Sequence, residues 1–541
     1  VAEKELINLT IDGQSVSVPK GTVILEAAKT VGIRIPHYCY HPGLSRVGSC
    51  RMCLVEIEKI PKLQASCATP VAEGMVVSTN TPNVLKNRRS VLEFLLLDHP
   101  LDCPVCDQAG ECELQNYYME HGRYDTRFNE NKTKKRKAYP IGPRIILDQE
   151  RCVLCTRCVR FTQEISKSYE MGVIDRGHRS AIDIFPGNEL NNRYSGNLAD
   201  VCPVGALTDR DFRFKCRVWF LGKTNSICPG CSRGCNIEIH FNSRFNPRYH
   251  TERVQRLKPR YNKDINGHWI CDEGRYAYHS IDAENRLSAP IVRQGDNAPE
   301  VAWEEAVRSV AKSFKETLDQ YGPQGIAVLA SPQMTNEELF GVRRLFQDHL
   351  KIENIEFRIP PREEPYSDDF LITADRNPNS KGAEILIPSK PGIQNMIQAC
   401  SEGRIHLLYI FHHDLTLSFD SDYISAVLKN VDRVIFQGSW NHSTAALADT
   451  ILPAAVYAEK DGTYTNIEGR VQRIHAAVPP IGGSLPDLDI IAQLAEELGT
   501  SVVKTPAAAF EEIAGSFDAF STMTYSTVGE SGQLLQLEPE K

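Results

Sequence analysis

No stretch of 18 or more apolar residues occurs in the sequence. Val91 to Leu97 is too short to cross a bilayer and Ala445 to Ala458 is interrupted by Asp449, so no membrane-spanning helix is expected. The first residues, VAEKELINLTIDG, lack a basic stretch followed by an apolar one, and no secretory signal is expected there. An excess of one charge is missing too: 61 Lys and Arg against 69 Asp and Glu leave a net charge of -8, with no whole-molecule attraction to nucleic acid or anionic lipid. There is no G-x-G-x-x-G, no H-E-x-x-H and no G-x-S-x-G, and Gly222-Lys223-Thr224 lacks the earlier glycine that a phosphate loop needs. The chain therefore carries no recognisable nicotinamide, flavin or nucleoside triphosphate site of its own. With 41% hydrophobic and 24% charged residues it is neither disordered throughout nor fibrous, and its 541 residues predict three to five structural units.

What it does have is 17 cysteines, nearly all in tight groups up to Cys271. Such crowding without a secretory signal points to metal chemistry and not to a disulfide framework. The first group is Cys39, Cys50, Cys53 and Cys67, with ten, two and thirteen residues between members. INLTIDGQSVSVPKG before it alternates like two strands around an Asp12-Gly13 turn, and ILEAAKTVGI has helical spacing. Hairpin, helix and cysteine loop is the order of a plant-type ferredoxin, a β-grasp holding [2Fe-2S], although the C-x4-C-x2-C spacing is stretched here. A four-cysteine zinc site is the alternative.

The second group lies in LDHPLDCPVCDQAGEC, where His99, Cys103, Cys106 and Cys112 fall within fourteen positions. One imidazole and three thiols can close four ligands around one centre, either an iron-sulfur cluster or zinc. The run Val91 to Leu97 predicts a helix that stops near Pro100 and delivers His99 at its end. A neutral imidazole in place of a thiolate removes negative charge and should raise a cluster's potential, as in Rieske centres.

The third group, Cys152, Cys155 and Cys158 with a remote Cys202 in DVCPVGAL, has the bacterial ferredoxin spacing for one [4Fe-4S]. Arg151, Arg157 and Arg160 either offset its negative charge or form a solvated rim. The fourth group, Cys228, Cys231 and Cys235 closed by Cys271, also has a cubane spacing, with zinc as the alternative. Cys400 sits in a helical pattern that predicts a buried, inert thiol, and Cys216 has no evident partner. KTKKRK at 132 to 137 reads as a solvated basic connector, 362 to 382 as an irregular loop, and the residues from about Ser516 as weakly ordered. From Trp303 onward, amphipathic helices alternate with short apolar strands, which predicts an α/β unit with a mostly parallel sheet.

Taken in order, these residues resemble the large iron-sulfur subunit family of respiratory complex I, the NADH:quinone oxidoreductase; H-P-L-D-C-P-V-C-D-Q-x-G-E-C is the most specific stretch. The resemblance implies [2Fe-2S] on Cys39, Cys50, Cys53 and Cys67, and [4Fe-4S] clusters on His99, Cys103, Cys106 and Cys112, on Cys152, Cys155, Cys158 and Cys202, and on Cys228, Cys231, Cys235 and Cys271. EKDGTYTNIEGRVQ at 459 to 472 is similar to molybdopterin oxidoreductases, but only about 270 residues follow Cys271, so a shortened domain without molybdenum cofactor is expected. The fold class implied is multidomain α+β and α/β. Its parts are a β-grasp domain over 1-80, a histidine-ligated cluster domain over 81-140, a ferredoxin-type domain over 141-215, a further [4Fe-4S] domain over 216-285, and a truncated molybdopterin-oxidoreductase-like α/β domain over 286-541.

The implied activity is that of a relay subunit with no substrate-turnover site of its own. Electrons arrive from a partner subunit that binds FMN and NADH, pass from the first group to the third and then the second, and leave through a ferredoxin-like two-cluster subunit toward quinone. The fourth group stands off this path. The implied location is the cytoplasmic side of the bacterial inner membrane, peripheral through the complex, with no nucleic acid partner. A large subunit of an NAD-linked formate dehydrogenase or hydrogenase, and a zinc scaffold without redox role, are the rival readings.

Overall fold

The computed structural model describes residues 5–244, 252–295, 297–387 and 392–536. The chain divides into two compact units, Val1–Leu221 and Gly222–Lys541. In the first, strands β1 (Leu6–Ile11) and β2 (Gln14–Pro19) form the expected hairpin, with Ile11 opposite Gln14. Asp12 and Gly13 both have positive φ (47° and 81°), the tight turn whose twist suits a two-residue hairpin. Helix α1 (Ile24–Thr30) follows, burying Ile24, Leu25, Ala27 and Ala28 against the sheet. β3 (Leu54–Ile57), β4 (Ile60–Ala65) and β5 (Val76–Ser78) complete it in the order β2-β1-β5-β3-β4. β5 runs parallel to β1, so the mixed sheet with its packed helix is a β-grasp.

Helix α2 (Pro82–Leu96) starts at Thr81, whose side chain accepts from Val84 N, and ends before Pro100 as expected. Helix α3 (Glu113–His121) begins directly after Cys112. The ferredoxin-type part holds a three-stranded sheet of β6 (Tyr139–Pro140), β7 (Ile145–Leu147) and β10 (Leu207–Asp209). Beside it lie the pair β8 (Met171–Ile174) and β9 (Ala181–Ile184) and helices α4 (Arg157–Glu164) and α5 (Asn197–Val201).

The second unit opens with an antiparallel sheet of β11 (Leu221–Ile227), β12 (Asn236–Asn242) and β13 (Val254–Pro259). Its main body is a six-stranded sheet of β14 (Ile291–Val292), β15 (Ile326–Leu329), β16 (Ile355–Glu356), β17 (Leu407–Phe411), β18 (Arg433–Gly438) and β19 (Thr450–Pro453), in the order β14-β19-β18-β17-β15-β16. All neighbours are parallel except the edge strand β14. Both faces are covered, which is why these strands read as unbroken apolar runs. Leu407, Tyr409 and Phe411 join one core with helices 303–321 and 487–497, while Leu408 and Ile410 join the other with helices 393–401 and 421–429.

Three expectations need correction. Segment 362 to 382 is irregular up to Asn379 but then enters helix Ser380–Leu386, because Asn379 is buried and bonds Met334 O and Thr465 N. The residues after Ser516 are built into the core: Phe520, Met523 and Val528 are buried, a helix spans Tyr525–Val528, and Gln533–Leu534 pairs with Arg470–Ile474. The 132–137 stretch is no free connector: Lys132 and Lys135 Nζ donate to backbone carbonyls, Lys137 pairs with Asp102 and Glu150, and Arg136 stacks on Tyr139 at 3.5 Å.

A buried ionic group ties the α/β body together. Lys460 Nζ lies 2.8 Å from Glu338 and 2.8 Å from Asp487, and Asp487 also meets His412 Nε2 at 3.0 Å and accepts from Gln437. Burial disfavours the Asp487 anion, yet His412 and Lys460 together hold its carboxyl well below the usual range. Its contribution is thus present at neutral pH and lost as pH falls through the depressed value. Lys460→Met strands two carboxylates in the core; chemical denaturation at pH 7 should show a loss of about 3–5 kcal/mol. The deficit should shrink toward pH 4, where the stranded groups take up protons.

Candidate metal centres

The β-grasp fold brings the first cysteine group together. Cys39 lies in the loop after α1, Cys50 and Cys53 immediately before β3, and Cys67 just beyond β4. Cys39, Cys53 and Cys67 are buried, with Cys53 and Cys67 in the domain core, and Cys50 is half-buried. Cys50 and Cys67 hydrogen-bond the Cys39 sulfur and drive its thiol far below the ordinary range, while the Cys67 contact lowers Cys53 to about 7. Tyr38 N donates to Cys50 Sγ at 3.4 Å.

In the second group, α2 ends at Leu96 and the chain turns through His99. Lys132 Nζ caps the helix by donating to Leu96 O at 2.7 Å and Leu97 O at 2.9 Å, and Thr133 N donates to Asp98 Oδ1. Burial, with the positive charges of Lys132 and Arg151 nearby, pushes His99 down to about 4, so its imidazole is neutral and able to coordinate. Cys106 and Cys112 are buried and Cys103 is exposed. Burial pushes Cys112 up to about 11. Arg217 holds the loop from outside, donating to Cys106 O at 2.8 Å and Pro104 O at 2.6 Å.

The third group surrounds a space. Cys152, Cys155, Cys158 and Cys202 line one cavity together with apolar side chains such as Leu147, Ile182 and Val204. Four sulfurs around one space have the donor chemistry that an iron-sulfur core takes. Burial raises all four thiols, Cys152 and Cys202 to about 12. Without a cation they would stay protonated at neutral pH, and a bound metal centre would supply the charge that makes them thiolates.

The second and third groups adjoin. Glu113 N, at the start of α3, donates to Pro203 O at 3.0 Å, and a Cβ on Gly205 would stand 2.2 Å from Cys106 Sγ. Only a glycine lets that sulfur lie against the Cys202 loop. Of the three arginines weighed from the sequence, all are buried, which excludes a solvated rim. Arg151 turns toward the second group, where Cys106 and Asp102 favour its charge and Asp102 accepts at 2.8 Å. Arg157 and Arg160 turn toward the first group's loop.

The fourth group lies in the second unit, with Cys228 after β11, Cys235 before β12 and Cys271 before helix 272–276; all four are buried. A Cβ on Gly274 would lie 2.8 Å from Cys228 Sγ and 3.4 Å from Cys271 Sγ, which places those two sulfurs side by side. The loop between them is held by the stretch singled out in the sequence: Ile467 N donates to Ser232 O, Asn466 to Arg233 O and Gln472 to Gly234 O. Cys400 is buried in its helix, as expected, and Cys216 is half-buried beside Arg217 O.

Sequence reasoning missed Gly205, Arg217 and Lys132. Gly205 had a signal, a glycine soon after Cys-Pro, but what it accommodates is 99 positions away in sequence.

Family models match in the same order: "2Fe-2S iron-sulfur cluster binding domain" over residues 4–82, "NADH-ubiquinone oxidoreductase-G iron-sulfur binding region" over 88–127, and "NADH-quinone oxidoreductase subunit 3, ferredoxin-like domain" over 142–208. "NADH-ubiquinone oxidoreductase NDSU1/NuoG-like, 4Fe-4S domain" matches 221–279, and "Molybdopterin oxidoreductase" 286–360 and 371–497. The chain is similar to a NADH-quinone oxidoreductase subunit of Rickettsia felis, 31% identical over 91% of this chain and 88% of that one. It is 30% identical to the mitochondrial NADH-ubiquinone oxidoreductase 78 kDa subunit of Candida albicans, over 92% and 83%. A solved NAD+-reducing [NiFe]-hydrogenase in the H2-reduced state is 31% identical over 39% of this chain and 91% of that one, with a TM-score of 0.35.

Gly205→Ala should displace the Cys106 sulfur. Pulse alkylation of the metal-free protein with peptide mapping is expected to label Cys106 several-fold faster than in the parent, with Cys39 and Cys53 unchanged.

Proposed function

Because the chain belongs to the family of the NADH-ubiquinone oxidoreductase 78 kDa subunit and its bacterial NADH-quinone oxidoreductase counterparts, we propose that it is the part of that enzyme which relays electrons and turns over no substrate itself. Iron-sulfur clusters, when bound, supply one-electron exchange with little reorganisation, and this chain's residues set their burial, charge and hydrogen bonding. The proposed ligands are Cys39, Cys50, Cys53 and Cys67 for one [2Fe-2S]. For three [4Fe-4S] clusters they are His99, Cys103, Cys106 and Cys112; Cys152, Cys155, Cys158 and Cys202; and Cys228, Cys231, Cys235 and Cys271. The chain's own domains fall at 1-80, 81-140, 141-215, 216-285 and 286-541 in this reading.

One observation carries the proposal. Within the first unit the three groups adjoin one another: Arg160 bonds both Cys39 O and Cys155 O, Gly205 lies against Cys106, and Tyr38, next to Cys39, packs on Tyr117 of the helix that follows Cys112. That closeness supports a relay, which in this reading is entered from an FMN and NADH-binding subunit at the first group and left from the second toward a ferredoxin-like subunit and quinone. No described helix is long and apolar enough to cross a membrane; in this reading the chain is peripheral, attached through its partners on the cytoplasmic side of the bacterial inner membrane. The fourth group, tied into its unit by Asn466, Ile467 and Gln472, acts structurally.

Anaerobically purified protein should contain about 14 iron atoms per chain with matching sulfide, two from one [2Fe-2S] and four from each of three cubanes. Four zinc atoms without sulfide would overturn the reading, and stoichiometric molybdenum would favour a dehydrogenase.

His99→Cys should keep a cluster but add a negative ligand, lowering one potential by on the order of 100 mV. A potentiometric titration in which no cluster shifts contradicts the His99 assignment.

A further inference from the structure

Two guanidinium groups stand between the first and third cysteine groups. Arg157 and Arg160 are three positions apart at the start of α4, directly after Cys155, so they project from one face of the helix. Only 8% and 7% of their surfaces are exposed. Arg157 Nη2 donates to Tyr40 O at 2.6 Å and Nη1 to Val201 O at 3.2 Å. Arg160 Nη2 donates to Cys39 O at 2.6 Å and to Cys155 O at 3.2 Å, and its Nη1 donates to Ser45 O.

Every one of these partners is a neutral backbone carbonyl, and among the described residues no carboxylate pairs with either arginine. The Nε atoms of both are buried and bond nothing. Among other buried arginines, Arg151 meets Asp102 and Arg286 meets Glu459, while Arg88 bonds the backbone carbonyl of Thr79. A buried cation without counter-charge is costly, so a negative group belongs beside this pair. Four of the five carbonyls they hold belong to Cys39, Cys155 and the immediate neighbours Tyr40 and Val201 of Cys39 and Cys202; the fifth is Ser45 O. On both sides, then, the nearest chemistry is a nest of thiols that becomes negative when it binds iron.

Building on the ligand assignment above, we infer that Arg157 and Arg160 are positioning residues shared by the first and third clusters. They give both the same counter-charge and pin the two loops together, so that the two reduction potentials are set jointly. Reduction adds one negative charge to whichever cluster receives the electron, and the same two cations stabilise that charge on either side of the helix.

The test uses the cluster-loaded full chain and redox titration followed by electron paramagnetic resonance, with Arg160→Met, Arg157→Met and Arg160→Lys. In each Met variant the [2Fe-2S] signal and one [4Fe-4S] signal should both become harder to reduce. The expected change is roughly tenfold in the reduced-to-oxidised ratio at a fixed potential, equivalent to about 59 mV for one electron. The remaining signals should titrate as in the parent. Arg160→Lys, which keeps the charge but not the fork, should retain most of the parent's potentials. The inference is overturned if only one signal moves, if loaded Met variants match the parent, or if Arg160→Lys shifts as far as Arg160→Met or loses both clusters. If Arg160→Met itself does not load, Arg157→Met and Arg160→Lys give the same comparison. A parent protein with no cluster signal would instead overturn the ligand assignment on which the inference rests.

Discussion

Ionising a thiol costs more as water is removed from it, and each further thiol in the same pocket adds to that cost. The third and fourth groups consist of four such sulfurs each, all raised above their ordinary range where a shift is resolved. Much of the surrounding structure answers this constraint. Backbone amides point at sulfur, as Leu154 N does at Cys152 Sγ and Gly274 N at Cys271 Sγ, both favouring the anion. Glycines stand where a Cβ would strike a sulfur, and cations are buried close by. Iron bound there, as proposed, would complete the balance and couple loading of the sites to release of protons.

The four groups differ in how they are framed, and the frames reflect how far apart in sequence their parts lie. The first is held by a compact fold whose elements are consecutive, hairpin, helix and cysteine loop, so that its order along the chain already announced it. The second depends on a loop that would not keep its shape alone. Lys132 caps α2, Lys137 and Arg151 meet at Asp102, and Arg217 grips the carbonyls of Pro104 and Cys106. The fourth is clamped by residues more than two hundred positions downstream.

That difference explains what was legible before the structure. Cysteine spacing, the Asp12-Gly13 turn, the stop of α2 before Pro100 and the apolar strands of the second unit are local signals, and each appears where the sequence predicts it. The parallel pairing of β5 with β1 and the closeness of Gly205 to Cys106 depend on distant partners that no local pattern encodes. The basic 132–137 stretch misleads because a run of Lys and Arg looks the same whether it meets water or acidic and carbonyl partners. The segment after Ser516 misleads for a similar reason: its few apolar residues are widely spaced, and only the waiting core makes Phe520, Met523 and Val528 an anchor. EKDGTYTNIEGRVQ is informative twice over, since Lys460 sits in the buried ion network while Asn466 and Gln472 reach the fourth cysteine loop.

Within the first unit, the second and third groups relieve crowded negative charge by different means, although they share a boundary. Beside the third, the cations Arg157 and Arg160 bond only neutral carbonyls, and both favour the Cys155 anion. Arg151 leans toward the second, where the Cys106 sulfur and the carboxylates of Asp102 and Asp148 share its charge. The second group's fourth ligand candidate, just beyond α2, is one that binds metal while neutral: His99, kept unprotonated by burial and by the same Lys132 and Arg151 that shape the loop. The histidine and the paired arginine are thus two parts of one electrostatic arrangement. A thiolate at 99 would add to the second group the negative charge that a neutral imidazole withholds.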